Sequence, residues 1–262
     1  MYHSHPVKLD ITGTIETISH IDKDILYKCY NTFYNPSNMC LVICGDFNPN
    51  EILHEIEQRL IEKKATGEIK RIYEDEEESI VKPKIEHKMD VTIPVFTIGI
   101  KCVPAIQKEK VKTHLAMQIV LNMITGASSK LYQDMYKQGV LLNVPSYEYE
   151  FTDDYAHVLI SGVSRDPETF YNKLCEEIDR LKKNGLNKED FQRTKKMIYG
   201  DYIKEYNDVS EIARMFLNDF MNGINSFDYL EEITSLDLEY VNQILNDNFK
   251  EEKIVFSVVK NS

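Results

Sequence analysis

The chain has 262 residues, 42% of them hydrophobic and 28% charged, and its 43 acidic against 31 basic side chains leave a formal net charge of -12. That length exceeds the commonest single-domain size, so one large domain or two smaller units is expected. The negative charge repels phosphate backbones and anionic headgroups, and no stretch reaches the roughly 20 apolar residues that span a bilayer, which excludes nucleic acid and membranes as expected partners.

Residues 1–62 alternate short apolar runs with one clear helix. Residues 63–85 then turn polar, and the acidic run from Glu74 to Glu78 reads as a solvated connector. From Val91 to Val103 β-branched residues dominate and both alternating faces are apolar, which suits an interior strand, with Pro94 marking an edge or bulge. Val111, Leu115, Ala116, Ile119, Val120, Met123 and Ile124 recur with helical spacing and predict a helix over Lys110–Thr125 that lays one buried stripe on a sheet. Ser128 or Ser129 caps a second helix, Lys130–Gln138, which stops at Gly139. Strands follow near Leu141–Phe151 and Tyr155–Val163, with Asp153 and Asp154 in the turn. Asp166 and Pro167 start a helix whose inner face is Phe170, Leu174, Ile178 and Leu181. Helices over about Lys188–Tyr206 and Ser210–Met221 and a last strand, Lys253–Val259, complete an α+β pattern, a mainly antiparallel sheet packed by helices in two layers.

The chain also repeats itself. At an offset of 215 residues Ile18–Leu26 aligns with Ile233–Val241 without a gap, Asn31 falls on Asn246, Tyr34 on Phe249, and the apolar run Met39–Ile43 on Ile254–Val258. A helix and strand repeated at one offset indicate a duplicated unit. Residues 86–262 form the second unit, and residues 1–62 the tail of a first whose start falls about 130 residues before Met1.

Three runs carry a family resemblance: His5–Ile18, with a His-Pro and Gly13; Cys29–Met39, with Phe33, Tyr34, Pro36, Asn38 and Met39; and Ile43–Phe47, with Gly45 and Asp46. Together they resemble the latter part of the zinc-binding half of pitrilysin/insulinase-type zinc metallopeptidases, in particular the bacterial processing-protease-like members. Ser128–Val140 is similar to the Ser-Arg-Leu-Tyr helix of the second half. The resemblance implies two homologous α+β units closing on a peptide. The first holds zinc through an inverted HxxEH and a downstream glutamate, and water takes the open position. None of those four residues can be placed in this sequence, so the resemblance implies a carboxy-terminal fragment that is inactive alone, with zinc a cofactor of the intact parent only. The implied partners are a peptide or unfolded-protein substrate and either the missing amino-terminal segment or a homologous subunit, with a homo-oligomer also open. Where many members present an arginine and a tyrosine to substrate, this chain has Tyr136 and Leu142, and these are its candidate substrate-binding residues. That departure favours the alternative reading of a noncatalytic peptide-binding or scaffolding subunit paired with an active homologue.

Other local patterns carry less. His54, Glu57 and Gln58 nearly spell HxxEH, but an amide replaces the second imidazole and is a poor zinc ligand. His3 and His5 lack a third donor, and His114 and His157 lie inside helix and strand patterns. Gly126–Lys130 lacks the GxxxxGK spacing and reads as a helix cap. The acidic hairpin of Glu148, Glu150, Asp153 and Asp154 reads as solvated, and no serine or cysteine has an evident base. The five cysteines, Cys29, Cys40, Cys44, Cys102 and Cys175, form no CxxC pair, and the amino terminus carries no export signal, which points to a reducing cytoplasm.

Overall fold

The computed structural model describes residues 1–60, 67 and 69–261. Five strands form one mixed sheet: β1 (Lys84–Lys88), β2 (Val95–Cys102), β3 (Ser146–Phe151), β4 (Ala156–Val163) and β5 (Ile254–Lys260), in spatial order β1-β5-β2-β4-β3. Only β1 and β5 run parallel; the other pairs are antiparallel. The apolar run before position 103 is thus the central strand, β2, with Pro94 placed just ahead of it and its carbonyl accepting the Ser164 N–H.

Register decides which side chains share a face. Ile98 lies opposite Ile160 and Phe256, and Ile100 opposite Val158 and Ile254, so these residues project together and are buried. Against them pack helices α4 (Lys110–Thr125), α6 (Pro167–Asn184) and α10 (Leu238–Asn248). The expected single stripe on α4 is too narrow a description. Met117 and Leu121 are as buried as Leu115 and Ile119, because α7 (Lys188–Glu205) and α9 (Asp228–Ser235) cover the side of α4 that faces away from the sheet. A helix buried on more than one side is an interior helix.

The caps follow the sequence. Asp166 accepts the Thr169 N–H at 3.1 Å with Pro167 in the first turn of α6, and Ser129 accepts the Tyr132 N–H at 3.1 Å to start α5 (Lys130–Lys137). The strand expected from Leu141 is shorter: Leu141 makes one isolated bridge to Ser164, and pairing resumes only at Ser146, after Pro145, which has no N–H to give.

The first part of the chain is built differently. Helices α1 (Ile15–Ser19), α2 (Lys23–Phe33) and α3 (Pro49–Arg59) are joined by loops, and between Pro6 and Leu60 only Asn35 is buried. In the later part of the chain, α8 (Val209–Met221) also has no buried residue.

Candidate functional site

The segment that carries Tyr136 and Leu142 is fixed from both ends. Gly139, at φ 71°, ends α5, and the Val140 and Leu141 N–H groups return to the Met135 carbonyl at 3.0 and 3.2 Å. The Val140 carbonyl accepts from the Arg165 N–H and the Ser164 hydroxyl at 3.0 and 2.8 Å, which ties the segment to the end of β4. Leu131, Met135 and Leu141 point inward and are buried, whereas Tyr136 is exposed beside Tyr132 and Leu142 is half-buried. The two positions therefore lie on one short, anchored segment.

The sheet face opposite the helices holds the densest polar geometry. Thr97 and Ser161 meet at 3.0 Å, and Lys101 and His157 are register partners. Here the chain's first residues cross back. A Cβ on Gly99 would lie 2.2 Å from Met1 Cε, the far end of a flexible side chain that would have to shift aside. Tyr2 donates its hydroxyl to the Ala156 carbonyl at 3.1 Å and meets His157 Nδ1 at 3.1 Å. The Glu76 carboxylate then accepts three successive main-chain N–H groups, from His3, Ser4 and His5, at 2.8, 2.7 and 2.8 Å. Lys101 Nζ reaches the same carboxylate at 2.5 Å and also donates to the Glu77 and Ser79 carbonyls. Both side chains are almost enclosed, at 7% and 13% exposure, so the acidic run is not wholly a solvated connector. Burial pushes the Glu76 carboxyl up, but the Lys101 ammonium and the three N–H groups outweigh it and hold it far below the usual carboxylate range.

Five histidines, His3, His5, His54, His114 and His157, have structural partners. His5 is buried between Tyr73 and Tyr155, and its Nδ1 accepts the Val7 N–H at 3.1 Å. His3 meets Ser79 at 3.1 Å, and His54 pairs with Gln58 across one turn of exposed α3. His157 faces Tyr2 and, at 3.4 Å, Glu150; burial lowers its pKa while Glu150 and Glu148 oppose that shift. His114 is enclosed with Tyr229 at 2.8 Å and Gln118 at 3.1 Å, and burial pushes its pKa down to about 4. Asp153 pairs with the buried Lys110 at 2.7 Å. Among the described residues no group of three or more His, Cys, Asp or Glu side chains could hold a metal ion. Zinc coordination needs three protein donors converging on one point, and the described residues do not fit that group.

The Glu76 and Lys101 clasp was not read from the sequence. Its signal was a lysine in an otherwise apolar strand, since a charge in the sheet interior needs a counter-charge.

The sequence profile of the Peptidase M16 inactive domain matches residues 20–198. An uncharacterized zinc protease of Bacillus subtilis, YmfH, is 31% identical over 261 residues, 97% of this chain and 60% of its own length. The zinc protease PqqE of Helicobacter pylori is 21% identical over 260 residues, 57% of its length. Among solved structures, an M16-like peptidase from Alicyclobacillus acidocaldarius superposes with a TM-score of 0.94 at 29% identity, covering all of this chain and 63% of that one. A protease from Helicobacter pylori shares the fold, with a TM-score of 0.87 at 17% identity. The chain thus spans about 60% of the length of the relatives it matches. With a profile match across most of its length and an α+β half-unit of the same architecture as these neighbours, this chain belongs to the Peptidase M16 inactive-domain family.

Proposed function

We propose that this chain supplies the noncatalytic half of a zinc-dependent metalloendopeptidase of the bacterial processing-protease kind, with the zinc ligands on polypeptide outside it. Residues 1–62 are the closing tail of the zinc-binding unit, residues 63–85 the acidic connector, and residues 86–262 the second unit, which closes over peptides or small unfolded proteins. Tyr136 and Leu142 face that substrate. The protein works in a reducing cytoplasm, in keeping with five free cysteines.

The observation that carries this reading is that no three metal donors converge among the described residues of a chain so similar to proteins named zinc proteases. A chain that lacks converging donors contributes a wall and a lid to hydrolysis, but no activated water. The exposed Tyr136, where many members present a cationic side chain, favours a second reading in which the parent binds or scaffolds without cutting.

The test is hydrolysis of a quenched peptide library by this chain alone and after mixing with a zinc-loaded, separately produced first unit. Cleavage only in the mixture, lost on Tyr136→Asp, supports the reading. Chelator-sensitive cleavage by the chain alone contradicts it, and binding without cleavage in the mixture selects the scaffold.

A further inference from the structure

Helix α8 sets a polar stripe against the body of the protein. Glu211, Arg214, Met215, Asn218, Asp219 and the capping Asn222 recur with helical spacing, so they share one side of the helix, and that side lines a cavity of about 350 Å³. Val209, Phe220 and Met221 face solvent instead, at 55%, 64% and 66% exposure. A surface helix ordinarily turns its apolar residues inward and its charges outward. Here the space between α8 and the helices beneath it is polar, and it reaches the size at which ligand pockets begin, about 300 Å³.

The floor of the cavity is aromatic and neutral. Tyr202 of α7 and Tyr229 of α9 stack with ring centroids 5.0 Å apart, and Phe151 at the end of β3 joins them. The Gln118 amide can only donate to His114 Nε2, at 3.1 Å, so His114 Nδ1 carries the proton and donates to the Tyr229 hydroxyl at 2.8 Å. With a pKa of about 4 this imidazole is uncharged at neutral pH, and the floor offers ring faces and hydroxyls without positive charge.

The walls are anionic and lack a free cation. Arg214 is paired with Glu211 at 2.8 Å, and Lys110, which donates to the Asn222 carbonyl at 2.9 Å, is paired with Asp153. Glu205 and Asp219 remain, and neither forms an ion pair among the described residues. Asp219 Oδ2 is buried with no hydrogen-bond partner, and a buried orphan acceptor calls for a physical reason. Burial raises both carboxyls above their usual range, helped at Glu205 by Glu211, Asp201 and Asp219 and opposed at Asp219 by Ser226. Shifted groups gathered around one cavity mark a candidate binding site. A metal ion does not fit it, because no three donors converge among the described residues, whereas tyrosine faces beside carboxylates suit an organic cation.

We propose that this cavity binds a small aliphatic cation, an alkyl ammonium or guanidinium group whose stem lies on Tyr202 and Tyr229 and whose charge meets Asp219 and Glu205. The site is independent of the peptidase reading. Its lining runs from His114 to Tyr229 and belongs to the helix layer, whereas Glu76, Lys101 and the first residues of the chain lie on the opposite face of the sheet. Because α8 forms one wall and has no buried residue, a ligand that bridges α8 to Tyr202 and Tyr229 draws that helix onto the body of the protein.

The probe is Nα-acetyl-arginine amide, titrated calorimetrically into the chain at low salt beside Nα-acetyl-citrulline amide, its uncharged analogue of the same shape. A dissociation constant of roughly 1 mM or tighter is expected for the first, and binding at least about tenfold weaker for the second. Asp219→Asn should weaken the complex by about tenfold or more and Glu205→Gln severalfold, while Glu189→Gln, exposed in the first turn of α7, should leave it unchanged. Without ligand Asp219→Asn should melt no lower than the wild type, since it removes a charge that burial penalises, whereas a purely structural carboxylate would lower the melting temperature when lost. Amide exchange over residues 209–221 should slow on binding. A capped Gly-Arg-Gly peptide identifies the source of the cation: affinity equal to that of the single residue supports a basic side chain of a polypeptide, and weaker affinity supports a free amine. Absence of binding, equal binding of the citrulline compound, or an Asp219→Asn variant that binds like the wild type or melts lower would each overturn the proposal.

Discussion

Removing the Glu76 anchor by Glu76→Gln exchanges a carboxylate for an amide that can satisfy at most part of the three N–H groups of His3, Ser4 and His5. It also leaves the Lys101 ammonium, enclosed at 7% side-chain exposure, with two carbonyls and no anion. Breaking one partner of a buried pair costs about 3–5 kcal/mol, chiefly because the survivor keeps its desolvation penalty. In a chain of this size each kcal/mol moves the melting temperature by about 2–4 °C, so a fall of about 6–20 °C is expected by calorimetry. Lys101→Met should cost a similar amount, and the double variant distinctly less than the two added together, since each single change strands the opposite charge and the double variant leaves neither. Hydrogen exchange should lose protection first at the His3, Ser4 and His5 amides. The pH dependence carries its own sign. A carboxyl held below its unfolded value of about 4.3 contributes fully above that value and loses its contribution as pH falls toward the folded one, so the clasp should hold through neutral and mildly acid solution. If Glu76→Gln melts within about 0.5 kcal/mol of the wild type and those three amides stay protected, the clasp does not hold the first residues to the sheet.

Three further outcomes are expected. Leu115→Ala, at a fully buried position on α4, should cost about 2–5 kcal/mol in denaturant unfolding, and Tyr136→Ala and Leu142→Ala far less; equal losses would place those two side chains in the core rather than on a substrate-facing surface. His114, neutral in the fold with a pKa of about 4, takes up a proton on unfolding, so stability should decline by roughly 3 kcal/mol as pH falls from 6.5 to 4, and His114→Gln should flatten that decline in pH-dependent melting. Trypsin should cut first near Lys70 and Arg71, ahead of the clasped Glu76, and leave a resistant core running to Lys260; uniform resistance would argue against a connector there.

What could be read from the sequence was what local chemistry determines. The spacing of Leu115 and Ile119, the cap and proline at Asp166 and Pro167, and the β-branched run of β2 each specify an element within a few residues, and those elements stand where expected. Edge strand β1 gave no such signal. Its Lys84, Glu86, His87 and Lys88 are exposed, and it exists because β5, about 170 residues later, offers a parallel edge. The all-round burial of α4 likewise depends on α7 and α9, which no pattern within α4 announces. The clasp unites residues 3–5, 76 and 101, and of these only Lys101 was out of keeping with its neighbours. The contrast between Met39–Ile43 and β5 shows the limit from the other side: near-equivalent apolar runs end as loop and as strand according to whether a sheet is there to receive them.

Elemental analysis of the isolated protein after zinc loading and dialysis measures directly whether the chain can hold zinc unaided. Less than about a tenth of an equivalent of zinc is expected, because no group of three or more His, Cys, Asp or Glu side chains among the described residues could hold a metal ion. Close to one equivalent, tightly held and removed only by a strong chelator, would contradict it.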